Sequence, residues 1–235
     1  RPVASEVELR YLAWVREREA LVDKLSHGRI GYMHLPNTAV EGNRELNRGL
    51  IHLHDREALI IDDRYNGGGF IPDRMIELLT RKPLAWWVRR GRDAMRTPGL
   101  THPGPKAMLI NGYSSSGGDA LPYFFRKLGL GPLIGTRTWG GLVGLSGNPA
   151  FVDGGSLSVP TFGISSGQGD WIIEGEGVAP DIEVIDDPQR VARGEDPSLE
   201  EAVRILLQKL DDEPVATPRL PVPPDRSAWM EGKGR

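Results

Sequence analysis

Short, unbroken apolar runs alternate with amphipathic stretches along this chain, and nearly every junction between them carries glycine or proline. Ala58-Leu59-Ile60-Ile61 and Ala107-Met108-Leu109-Ile110 are runs of the kind that fill strands buried on both faces. Residues 29–35, closed by Pro36, read as a further strand, and Pro132-Leu133-Ile134-Gly135 follows the Ser114-Ser115-Ser116 turn and its helix. Helical spacing takes over between them. Residues 5–26 carry Tyr11, Trp14, Val15, Leu21, Val22 and Leu25 on one stripe, with Ser5 and Glu8 placed as a capping box and a stop at His27-Gly28. A weaker pattern over 41–53 is interrupted by Gly42 and Gly49, and shorter helices are predicted over 73–79 and over 120–128 before Gly129. Ser198 to Glu201 reads as the cap of a last helix, whose stripe is Leu199, Ala202, Val203, Leu206, Leu207 and Leu210. Short alternating strands are predicted after Gly141, turning at Asp153-Gly154-Gly155-Ser156. Strands alternating with helices, without an internal repeat, predict a layered α/β domain with its site on turns at strand ends.

Composition narrows the partners. The net charge of −3 gives no basic field for nucleic acid or an anionic membrane. Trp86 and Trp87 lie among Arg81, Lys82, Arg89, Arg90, Arg92 and Arg96, a stretch read as a strand with a solvated charged end rather than a base-stacking surface. With no cysteine in the chain, disulfides, thiolate chemistry and cysteine-ligated zinc are excluded. His52, His54 and Asp55 have no third ligand pattern, so no metal site is expected. No apolar run reaches membrane-spanning length. After Asp211 the sequence becomes rich in proline, at 214, 218, 221, 223 and 224, and reads as a disordered tail or a docking arm. The first residue is arginine, from which a processed or trimmed chain is expected.

The candidate chemistry sits where the run ending at Ile110 meets the following helix, through Asn111-Gly112-Tyr113-Ser114-Ser115-Ser116-Gly117-Gly118-Asp119. A strand-to-helix turn of this type can present a serine hydroxyl beside unpaired backbone N–H groups. Locally the same residues fit a polar turn whose serines satisfy nearby backbone. Gly67-Gly68-Gly69, after the other buried run, is either a second backbone donor site or a flexible turn. A serine nucleophile also needs a base. None of His27, His34, His52, His54 and His102 has a catalytic setting, and between Ser116 and Asp153 the one lysine is Lys127, placed mid-helix.

Five motifs occur in order: Gly28-Arg29-Ile30-Gly31-Tyr32, residues 62–69, residues 111–119, Gly135-Thr136-Arg137-Thr138-Trp139-Gly140-Gly141 and residues 174–181. Together they resemble the catalytic region of the tail-specific (C-terminal processing, S41) serine peptidases, specifically the tricorn branch, over most of residues 8–210. The resemblance implies an α/β fold of the crotonase/ClpP-like ββα superhelix type with an N-terminal helical segment. It divides the chain into a helix at 1–28 leading from an upstream PDZ domain, a peptidase domain at 29–211 and a proline-rich tail at 212–235. It assigns the nucleophile to Ser116, oxyanion N–H donors to Gly117 and to Gly69 or its neighbour Gly68, and a histidine-orienting acid to Glu174, with Glu176 in that role if the register shifts. In that branch the histidine lies upstream of the PDZ domain, which accounts for the missing base and implies weak activity for these residues alone. Peptide substrates, a homo-oligomer, a cytoplasmic location and no metal or organic cofactor are implied as well. Archaeal members carry an acid directly after the nucleophile; Gly117 stands there in this chain, so a different or broader preference is expected. Asp119 is expected to cap the following helix. Two other readings fit the same turns: a non-catalytic peptide-binding or assembly module, and an acyl-CoA-handling crotonase relative.

Overall fold

The computed structural model describes residues 4–145, 147–216, 218–222 and 224. Its centre is a five-stranded sheet, in which β1 (Ile30–His34), β2 (Ala58–Asp62), β5 (Lys106–Ile110), β6 (Leu133–Gly135) and β7 (Ile182–Glu183) lie side by side in that order. Every pairing is parallel. All residues of β1, β2, β5 and β6 are buried, which is why these stretches read as unbroken apolar runs instead of alternating ones.

Helices cover both faces. On one, α2 (Val40–His52), α3 (Pro72–Thr80) and α4 (Gly117–Lys127) close a core of Met33, Leu46, Leu59, Ile61, Met75, Leu78, Met108, Leu121 and Phe125. On the other, α1 (Val7–Ser26) and α6 (Pro197–Asp212) pack Val22, Leu199, Val203 and Leu206 against Ile30, Ile60, Ala107 and Leu109. The remaining elements are a two-stranded antiparallel arm, β3 (Ala85–Trp87) with β4 (Met95–Thr97), and a short helix, α5 (Pro188–Ala192). Each residue of β3 is exposed, as expected for the Trp-Arg stretch. No helix among the described residues is long and apolar enough to cross a membrane.

Three local expectations change. The first helix starts at Val7, with Glu6 at its N-cap position and no side-chain cap; Ser5 Oγ instead accepts from Val7 N at 3.3 Å. The last helix starts at Pro197, because proline fixes the first turn there. Its cap is therefore Asp196, whose side chain accepts from Leu199 N, while Ser198 is buried and its hydroxyl donates to Asp186. Between 142 and 171 the alternating strands reduce, among the described residues, to isolated bridges Gly144–Phe162 and Ser165–Trp171, although the 153–156 turn closes through Phe151 N to Gly155 O at 2.8 Å. Leu142 and Ile164 pack against the core, but Leu145, Phe151, Val152 and Leu157 between them are all exposed and present no core face against which alternation would be stabilised.

A buried ion cluster joins the two ends of the fold. Arg64, just past β2, donates to both carboxylate oxygens of Asp62 at 2.6–3.1 Å, to Asp196 at 2.7 and 3.1 Å, to Asp186 at 3.1 Å and to Ser198 Oγ at 3.0 Å. Tyr32 OH adds a bond to Asp62 Oδ2 at 2.8 Å. Burial would raise the Asp62 pKa, but the Arg64 guanidinium outweighs it and holds that carboxyl below the usual range. Removing the cation alone leaves Asp62 buried with the Tyr32 hydroxyl but no ionic partner, and Asp196 with only Arg18, at 3.2 Å, as its ionic partner, among the described residues. Arg64→Met is expected to cost about 3–5 kcal/mol in urea unfolding at neutral pH. A loss below about 1 kcal/mol would show that the cluster is not held by charge.

His102 sits in a second polar pocket, at the opposite end of β5 from the serine turn, with Nε2 2.8 Å from Arg56 O. Burial first, then the neighbouring Lys106 cation, push its pKa down to about 4. The unfolded imidazole takes up a proton near pH 6.5 and the folded one does not, so stability is lost as pH falls through that window. His102→Gln is expected to remove about 1–2 kcal/mol of the wild-type loss between pH 7 and pH 5, read from urea midpoints at both pH values. Parallel pH slopes for the two proteins would contradict the assignment.

Candidate active site

The adjacent C-terminal ends of β2 and β5 release two loops, 63–71 and 111–116, that run side by side. Ser115 N donates to Asn66 O at 2.9 Å, and Ser114 Oγ donates to Asp63 O at 2.8 Å. Asn66 then turns the first loop: its Oδ1 accepts from Gly68 N at 2.9 Å, and its Nδ2 donates to the buried Asp63 carboxylate at 2.8 Å. Burial, reinforced by the charge of Asp62, pushes the Asp63 pKa well up.

At the end of this paired run the loops touch without room for side chains. Gly68 has φ +82°, and a Cβ there would lie 2.7 Å from Ser116 Cβ. A Cβ on Gly117 would overlap Thr38 Oγ1 and lie 2.6 Å from Gly69 O and 3.0 Å from Gly69 N. The helix expected at 120 begins earlier for the same reason: Gly117 and Gly118 pass directly under the first loop as the first residues of α4.

Ser116 occupies the N-cap position of α4 with φ 57° and ψ −115°, a conformation that costs a non-glycine residue of order 1–3 kcal/mol. It is half-buried, its side chain caps nothing, and no described residue is hydrogen-bonded to its Oγ. The N–H groups of Gly69 and Gly117 likewise have no acceptor among the described residues. The structure thus brings Ser116, Gly68, Gly69 and Gly117 together. It places beside them no histidine. His34 is buried in β1, bonded to Tyr11 OH at 2.9 Å and to Arg64 O at 2.8 Å. Lys127 closes α4 at the surface, over the Tyr123 ring.

Glu174 is exposed, and its Oε2 accepts from Leu142 N at 2.6 Å and Val143 N at 2.9 Å. Its carboxylate does not reach the serine turn. The connection runs through backbone: Gly175 N donates to Gly140 O at 2.7 Å, and Trp139 N donates to Ser114 O at 3.0 Å. Glu176 enters this strap only through its carbonyl, which accepts from Arg137.

Two residues at the site had no clear signal in the sequence. Asp119, expected as a cap, lies in the first turn of α4 with its side chain fully buried, and Oδ1 accepts from Gly140 N at 2.7 Å. It therefore fixes the strap from below, and burial pushes its pKa up against the donors that hold it. Thr38 brackets the glycine loop, donating from N to Gly68 O at 2.9 Å and accepting from Ile71 N at 2.9 Å. Its buried hydroxyl has no hydrogen-bond partner among the described residues and packs on Gly117. Only the missing side chain at 117 hinted at such a neighbour.

The chain is similar to known proteins in sequence and in fold. Tricorn protease homolog 1 of Streptomyces coelicolor is 37% identical over 217 residues, covering 92% of this chain and 20% of that protein. The Tricorn protease of Thermoplasma volcanium is 36% identical over 211 residues, covering 90% of this chain and 20% of that one. The chain thus spans about a fifth of the length of these relatives. The crystal structure of the tricorn protease superposes with a TM-score of 0.82 at 36% identity, over 86% of this chain and 20% of that chain. Mature CPAF complexed with lactacystin, at a TM-score of 0.56, 16% identity and 78% coverage of this chain (52% of its own), shares the fold alone. The expected α/β architecture of the crotonase-like type is therefore the one observed. The sequence profile of Peptidase family S41 matches residues 29–184, and the chain belongs to that family.

Proposed function

We propose that this chain is the nucleophile-bearing catalytic domain of a serine peptidase. The observation that carries the reading is the conformation of Ser116, strained at a strand-to-helix turn with the unbonded N–H groups of Gly69 and Gly117 alongside. A base takes the Ser116 Oγ proton as that oxygen attacks a peptide carbonyl, and the two amides receive the charge that forms on the carbonyl oxygen. The peptide C–N bond breaks, the amine leaves with the proton, and water then releases the acyl group from Ser116. The charge forms beside the N-terminus of α4, whose dipole favours it. Similarity to proteins named tricorn protease supports peptides as the substrates.

The base is the part that the described residues do not supply at Ser116. We assign it to a histidine outside these residues, and to Glu174 the orientation of that histidine through an intervening polar group. Glu174 suits the role because its loop is tied to the serine turn through Gly140 and Asp119, so its position is set by the same elements that set Ser116. The missing base also keeps a second reading in view, a peptide-binding module whose glycine turns accept an extended chain without cleaving it.

A fluorophosphonate probe separates the two. A longer form of the protein that carries the histidine is expected to be labelled at Ser116, its Ser116→Ala variant to take up no label by intact mass, and both to bind peptide. These residues alone are expected to hydrolyse peptides poorly, and a longer form of the protein that carries the histidine to hydrolyse them well. Equal hydrolysis by the two forms would place the base within this chain and overturn the assignment.

Gly117→Ala tests the oxyanion site without touching the nucleophile. The added methyl group overlaps Thr38 Oγ1 and presses on Gly69 O, which forces the two donors apart. Labelling is expected to slow by about 10²-fold, with the circular dichroism spectrum unchanged. An unchanged rate would remove both amides from the mechanism.

A further inference from the structure

The paired loops carry a second feature at the end away from the glycines. Tyr65 and Tyr113 project from them as a stacked pair, ring centroids 5.4 Å apart and 22° between planes. Both are largely solvent-accessible, 55% and 72% exposed. Trp14 of α1 backs Tyr65 edge-on at 6.0 Å. Large apolar faces left open beside a reaction centre are unusual for a surface that only meets water.

The pair is held in place by specific bonds. Tyr65 has φ +63°, a left-handed conformation that a bulky side chain seldom adopts. One acceptor secures both residues: Asn111 Oδ1 takes the N–H of Tyr65 at 3.2 Å and that of Tyr113 at 3.0 Å. The two rings are therefore presented together, from adjacent loops, by a single side chain.

Their position follows from the same pairing. Tyr65 faces Tyr113, Asn66 O bonds Ser115 N, Gly68 meets Ser116 and Gly69 meets Gly117. From Tyr113 to Ser116 is three residues, a span of about 10 Å at most in an extended chain. That distance equals about three residues of a substrate strand.

We propose that Tyr65 and Tyr113 form a subsite for a large apolar side chain of the peptide substrate, aromatic or branched aliphatic, about three residues from the bond that Ser116 attacks. The proposal rests on the peptidase reading of the site. A rigid stacked pair offers a ring face at small cost in side-chain entropy, since each tyrosine has only two rotatable bonds. It selects by shape and apolar contact, and makes no use of the side chain at 117.

The test is a phenylalanine scan through a fluorescein-labelled, otherwise Gly-Ser octapeptide, with binding read by fluorescence anisotropy on the chain as it stands. One phenylalanine position is expected to bind about tenfold more tightly than the rest, and Tyr65→Ala/Tyr113→Ala to lose that gain. Tyr65→Phe/Tyr113→Phe is expected to keep it, because the ring faces remain. Asn111→Ala is expected to reduce it with both rings present, because the shared bracket is gone. A flat scan on the wild-type chain, equal preference in the double alanine variant, or loss in the double phenylalanine variant would each overturn the proposal. Thermal unfolding of every variant accompanies the measurement, and an alanine pair that melts with the wild type keeps the comparison valid. Fluorophosphonate labelling of Ser116 is read separately, on a longer form of the protein that carries the histidine, so a scan preference without label in that form refutes the peptidase reading and leaves the subsite standing.

Discussion

Where Gly68 and Gly69 meet Ser116 and Gly117, two backbone segments approach so closely that a side chain added at 68, 69 or 117 would collide with its surroundings, and the site depends on that exclusion. It places two N–H groups side by side, with no acceptor bonded to either among the described residues. It also lets Ser116 hold a conformation that most turns would relax, since the opposing loop occupies the space into which it would move. Backbone donors positioned this way need no reorganisation as charge develops, which is the usual reason that such sites are built from amides rather than flexible side chains.

Everything around the contact keeps the loops from separating. Thr38 grips the glycine loop from both sides, Asn66 turns it, and Arg64 fixes its root to Asp62 and to the start of α6. Asp119 does the corresponding work under the serine turn, by holding the Gly140 strap that leads to Glu174. Several of these polar groups are buried and held at a thermodynamic cost. Asp63 and Asp119 each keep one carboxylate oxygen without a partner among the described residues. Such groups would be poor choices for stability alone, and their concentration beneath one turn is the signature of a site whose geometry matters more than its packing.

Much of the frame was legible in the sequence because a parallel sheet covered on both faces writes itself as unbroken apolar runs. Residues 58–62 and 107–110 predicted their strands almost to the residue. The glycine and serine turns after them were legible as places of unusual backbone, and the ordered resemblance selected one reading of them. Helix starts were harder. Ser198 looked like a cap, but Pro197 and the demand of Arg64 for Asp196 moved the start. Asp119 looked like a cap as well, but its partner lies 21 residues away and no local pattern encodes that. Residues 142–171 misled for the opposite reason, since alternation in the sequence predicts strands only where one face has something to pack against. The base was illegible because the described residues place none beside Ser116.

The clamp on Arg64 has a consequence for timing. Asp196 and Ser198 come 132 and 134 residues after the arginine they hold. During synthesis, the serine turn and the glycine loop both leave the ribosome well before either partner exists, and Arg64 is then a cation without its second carboxylate. The root of the glycine loop becomes fixed only when α6 arrives and docks on α1 and the sheet. A growing chain therefore carries the serine turn before it carries the clamp that fixes the loop opposite it.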